Sequence, residues 1–143
     1  MNATKLVRIL ASLGLALSAF AVQAQVVVVV GAKSPTGNMT ADQVSALFLG
    51  KSNALPSGAA AALVDQPEAS PVYEQFYSKV AGKTTAQVKA AWSRLTFSGK
   101  ATPPNRLASS ADVKKFVAGN PDAIGYIEKS AVDASVKVIL SAD

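Results

Sequence analysis

Five valines in a row, Val26 to Val30, restrict the fold more than any other stretch of this chain. β-Branched side chains favour extended backbone. In a strand, successive side chains point to opposite faces, so an unbroken apolar strand must be covered on both. Such a strand belongs inside a sheet with helices on each side.

The rest of the chain supplies those helices. Thr40 with Gln43 forms a capping box ahead of the apolar stripe Val44, Leu47 and Phe48, and Gly50 stands where a left-handed residue would close the helix. Residues 59–64 read as a second strand. Ser70 suits a helix cap and Pro71 the first helical position. Val72, Phe76 and Val80 recur every four residues and predict one helix up to Gly82, with Tyr73 and Tyr77 packed beside them. Thr84 with Gln87 is another capping box, and Val88, Ala91, Trp92 and Leu95 follow at the spacing of an amphipathic helix.

Residues 99–105, with Pro103-Pro104, form a loop. A very short strand is expected at 106–108. Ser109 or Ser110 caps a helix that turns Val113, Phe116 and Val117 inward. Asn120-Pro121-Asp122 is a turn, and residues 123–127 and 136–140 are closely spaced final strands. Strands alternating with helices define the class as α/β.

Composition removes whole classes of chemistry. The chain has neither cysteine nor histidine. Thiol catalysis, disulfides, Ser-His-Asp triads and the common zinc sites are therefore excluded. No cofactor motif and no pairing of nucleophile with base is visible, so an enzyme is not expected. Asp65 and Glu68 share one turn and could act as an acid–base pair. Two acids in a turn read more simply as solvated or capping residues.

Residues 1–24 predict a cleavable signal peptide: Lys5 and Arg8, then an uncharged apolar run, then Val22-Gln23-Ala24. The run falls short of the ~20 residues that span a bilayer. The expected exported form, 25–143, is periplasmic, with no membrane span after cleavage. It keeps 12 of the 14 bases against all 9 acids. Apart from Lys114-Lys115 the bases are scattered singly, so no nucleic-acid stripe exists.

Four segments, in order, carry a family resemblance: "MTADQVSALFLGKSNALPSG", "VDQPEASPVYEQFYSKVAGKT", "WSRLTFSGKATPP" and "NPDAIGYIEKSAV". Together they resemble the phosphate-binding protein of ABC transporters, a type II periplasmic binding protein. The resemblance implies a single-lobe periplasmic-binding-protein-like domain over 25–143, a mixed β-sheet flanked by helices. The family's proteins carry two such lobes. It further implies a small anion such as phosphate as ligand, an ABC permease or other periplasmic protein as partner, and no cofactor. Because a lone lobe exposes the face its partner lobe would cover, the alternative is an interaction or structural module that docks a protein or forms a homodimer.

In the family, an Arg followed by acid-Gly-Ser-Gly-Thr opens a helix onto the oxyanion. Here the Arg position falls on Gln66, the acid on Glu68, and Ser-Gly-Thr on Ser70-Pro71-Val72. Only Ser70 keeps the family's chemistry. A lost charge-assisted contact costs roughly 1.5–3 kcal/mol and a neutral one about 0.5–1.5 kcal/mol, so phosphate binding is expected to be weak. The candidate ligand residues are Ser34, Gln66, Ser70 and Lys100, expected to meet where the strands' C-terminal ends gather. Lys51 and Arg106 lie in loops that border the family's cleft.

Overall fold

The computed structural model describes residues 25–142; the expected signal segment lies outside them. Its strands are β1 (Val26–Gly31), β2 (Ala62–Asp65), β3 (Asn105–Arg106), β4 (Ala123–Glu128) and β5 (Val136–Ala142). Its α-helices are α1 (Ala41–Phe48), α2 (Pro71–Phe76), α3 (Thr85–Phe97) and α4 (Ser110–Ala118). The strands form one sheet in the order β3-β2-β4-β1-β5. β4 and β5 each run antiparallel to β1, and β2 runs parallel to both β3 and β4. Four strands therefore share one direction and β1 alone opposes them, giving the α/β class that the pattern implied and the mixed sheet that the resemblance implied.

The valine run is buried on both faces, each residue at 2% exposure or less. Val26, Val28 and Val30 face a core built with Val44, Leu47, Phe48 and Phe76. Val27 and Val29 face the opposite core, with Val113 and Val117 of α4. α4 lies so close to the sheet that a Cβ at Gly125 would stand 2.7 Å from Val113 Cγ1. Both capping boxes form, at Thr40 and Thr84, and Ser109 caps α4.

Several elements depart from expectation. β2 begins at Ala62 because residues before it are taken by a small hairpin, in which Leu55 N–H donates to Ala59 O and Ala61 N–H to Asn53 O. The short strand near Arg106 covers Asn105–Arg106. The single helix expected up to Gly82 is divided: α2 stops at Phe76 and a π-helical turn, Tyr77–Ala81, follows. Phe76 and Tyr77 are consecutive, yet both are fully buried, which the widened turn accommodates. β4 and β5 are close in sequence, but β1 lies between them. On α3 only Val88 is buried; Ala91, Trp92 and Leu95 are half-buried.

Candidate functional site

The strand directions decide which loops can meet. The C-terminal ends of β2, β3, β4 and β5 lie along one edge of the sheet, and that of β1 lies along the other. At the first edge the chain leaves β2 through the turn after Asp65 and enters α2. It leaves β3 after Arg106 and enters α4. Two helix N-termini thus face the same edge, where α/β sheets commonly bind ligands.

Asp65 anchors this edge from inside, and it is neither solvated nor a cap. It is 4% exposed. The Tyr126 hydroxyl donates to its carboxylate, as do the Tyr77 hydroxyl at 2.7 Å and the Gln66 N–H at 2.9 Å. Burial pushes its pKa above the ordinary 3.8, while these donors and nearby Arg106 pull it back. The Tyr77 and Tyr126 hydroxyls are pushed far above the ordinary 10 by burial and then by the Asp65 charge. They serve as fixed hydrogen-bond donors, not as acids. Tyr126 is held by Phe76, stacked at 4.0 Å between ring centroids.

Gln66 is 2% exposed. Its amide donates to the Tyr126 carbonyl at 2.8 Å and to Ser110 Oγ at 3.1 Å, which ties the turn to β4 and to the start of α4. Ser70 caps α2: its Oγ accepts from Val72 N–H at 3.3 Å, and its carbonyl accepts from Tyr73 N–H at 3.1 Å. Pro71 has no N–H. The start of α2 therefore has no backbone N–H left for a ligand.

The outer part of the turn differs. Glu68 lies 3.4 Å from both Lys89 Nζ and Arg106 Nη2, all three side chains part-exposed. Beside them opens a groove of about 480 Å³ between α3 and β3. Its walls include Tyr73, Val88, Trp92, Phe97, Pro103 and Pro104. Trp92 is fixed by its indole N–H, which donates to Phe48 O at 2.8 Å. Tyr73 is pushed up to about 12, by burial first and then by Asp65 and Glu68.

Ser34 and Lys100 do not join this edge, because β1 runs against the other strands and Lys100 precedes β3 where Arg106 ends it. Ser34 follows β1 at the opposite edge, where its Oγ donates to Pro121 O at 2.8 Å and accepts from Thr36 N–H at 3.2 Å. Lys100 belongs to the loop that enters β3. It lines an adjoining cleft of about 860 Å³, which shares Trp92, Pro103 and Pro104 with the groove, together with Lys51 and the approach to β2. Of the four candidate residues, only Gln66 and Ser70 stand together. Sequence reasoning did not place Lys89, Ser110 or Tyr126 at a site. Tyr126 had one signal, a polar-tipped aromatic inside an apolar strand. Lys89 had none, since it reads as any exposed helix lysine. Among the described residues, no group of three or more His, Cys, Asp or Glu side chains could hold a metal ion.

The sheet thus carries helices on both faces and sets two helix starts at one edge. Known structures bear out that architecture. The chain matches a protein from Clostridium perfringens described as a phosphate ABC transporter substrate-binding protein and solved with bound phosphate (22% identity, TM-score 0.65, covering 80% of this chain and 44% of that one). It matches an ABC-type phosphate transport receptor from Vibrio cholerae (24% identity, TM-score 0.65, 80% and 45%). It also matches PstS from Borrelia burgdorferi (12% identity, TM-score 0.61, 80% and 46%). The chain thus shares the fold of these proteins while spanning less than half the length of each. No family model matches it, and no curated protein matches it by sequence.

Proposed function

We propose that residues 25–143 form an exported, periplasmic, non-enzymatic binding domain that holds a small anion weakly at the edge carrying Asp65, Glu68 and Arg106. Arg106 carries this reading. Its guanidinium stands at the C-terminal end of β3 and offers five N–H donors, one of which meets Glu68 at 3.4 Å. Lys89 adds a second cation. Gln66 and Ser70 act from behind, by holding the turn and the start of α2. The fold likeness to proteins described as phosphate transport components supports an anion as the ligand class. Delivery to an ABC permease is part of the same reading.

The absence of a free N–H at α2 argues for weak binding, on the order of millimolar for inorganic phosphate, or about −4 kcal/mol. Titration calorimetry tests it. Arg106→Gln should abolish the binding heat. Glu68→Gln should strengthen it severalfold, because Glu68 competes for the same two cations. A sub-micromolar dissociation constant would refute the weak-binding reading. The alternative, a self-associating module, has less support. The exposed large hydrophobic residues among those described are Phe97 and Val138, and they lie toward opposite edges of the sheet. Intact mass of the exported protein checks cleavage after Ala24.

A further inference from the structure

We infer that the anion accepted at this edge carries an apolar body, so that an organic phosphate, sulfonate or carboxylate lies in the Trp92–Phe97 groove with its charged head on Arg106 and Lys89. The inference rests on the anion-binding reading above and narrows its ligand class. A bare oxyanion presents oxygen on every side and is held best in a cradle of backbone N–H groups. Here α2 offers no such cradle: Pro71 lacks the N–H, and those of Val72 and Tyr73 are taken by Ser70. What stands beside α2 in its place is apolar surface. The groove, at about 480 Å³, lies within the range of small-molecule sites, roughly 300–1,000 Å³. Phe97 at its rim is 95% exposed, and the half-buried Trp92 supplies an aromatic face inside.

The charge of the head follows from counting partners. Asp65 already accepts from Tyr77, Tyr126 and Gln66. Glu68 stands between Lys89 and Arg106. No carboxylate at the groove is left over for a ligand cation. Arg106 and Lys89 each spend one long contact on Glu68 and keep their remaining donors. Part-exposed pairs of this kind exchange partners readily, and a guanidinium suits a phosphate or carboxylate fork.

Trp92 is the only tryptophan of the chain and reports on the groove directly. The full exported protein is titrated with phenyl phosphate, inorganic phosphate and benzylamine, following Trp92 emission and amide shifts in nitrogen-15 spectra. Phenyl phosphate should bind on the order of tenfold tighter than inorganic phosphate. Its shifts should cluster at residues 88–97 and at Asn105 and Arg106. Phe97→Ser, at an exposed position that does not threaten folding, should weaken phenyl phosphate and leave inorganic phosphate unchanged. Arg106→Gln should abolish the binding of inorganic phosphate and weaken that of phenyl phosphate. Equal affinity for the two anions would overturn the apolar-body inference and leave the anion reading standing. Tighter binding of benzylamine would overturn the charge assignment. No binding of either anion would overturn both.

Discussion

The turn between β2 and α2 holds two acids three residues apart, and they live under opposite physics. Asp65 is buried, saturated by three donors and locked to two other elements of the core. Glu68 is part-exposed and meets its two bases at 3.4 Å. The inner half behaves as core and the outer half as surface. A binding edge needs both: a rigid inner half to fix where the groups stand, and an outer half whose contacts a ligand can exchange.

Asp65→Ala should break the inner half most severely. It strands the Tyr77 and Tyr126 hydroxyls and the Gln66 N–H in the interior. The expected loss is about 3 kcal/mol or more, read from urea unfolding. An unchanged midpoint would show that the turn is held by packing alone.

A pH series sharpens the same point. Burial raises the pKa of Asp65 above the 3.8 of an unfolded chain. The folded state therefore holds that proton more tightly, so the contribution of Asp65 is greatest below pH 3.8 and declines as pH rises through the folded value. The stability of the wild type relative to Asp65→Asn should fall as pH rises above about 4. A rise would mean that the three donors outweigh burial.

Gln66→Ala should cost less, about 1–2 kcal/mol, for the bonds to Tyr126 O and Ser110 Oγ. Gln66→Arg should cost more than Gln66→Ala, because it forces a guanidinium into a site 2% exposed. Introducing an arginine here is therefore no clean test of anion binding. The smallest effect belongs to the outer half. Glu68→Gln should change stability by no more than about 0.5 kcal/mol, measured by the same unfolding curve. A large loss there would erase the distinction between the two halves.

Much of the fold was legible along the chain, because the signals were local. The valine run required cover on both faces, and both cores are present. Thr40, Thr84 and Ser70 cap the helices that follow them, since a cap acts within three residues. Gly82 ends its helix at a φ of +62°, as glycine at such a position should. The site was legible only in part. Gln66 and Ser70 belong to the same turn, so their proximity followed from chain order. Ser34 and Lys100 could be placed only by knowing strand directions, and adjacent letters do not encode direction.

By itself, then, the sequence determined the elements, their caps and the need for a sheet sealed on two sides, through hydrogen bonds and side-chain periods that act over a few residues. Tertiary structure alone decided that β1 opposes its neighbours, which sends Ser34 to the far edge. It alone turned Asp65 inward, because Tyr126 comes from a strand 61 residues away and Tyr77 from a widened turn. It alone set Arg106 and Lys89, on separate elements, beside the same Glu68. The physical reason is the same in each case. Burial and pairing depend on which residues the folded chain brings together, and those partners lie too far along the chain for any local pattern to name.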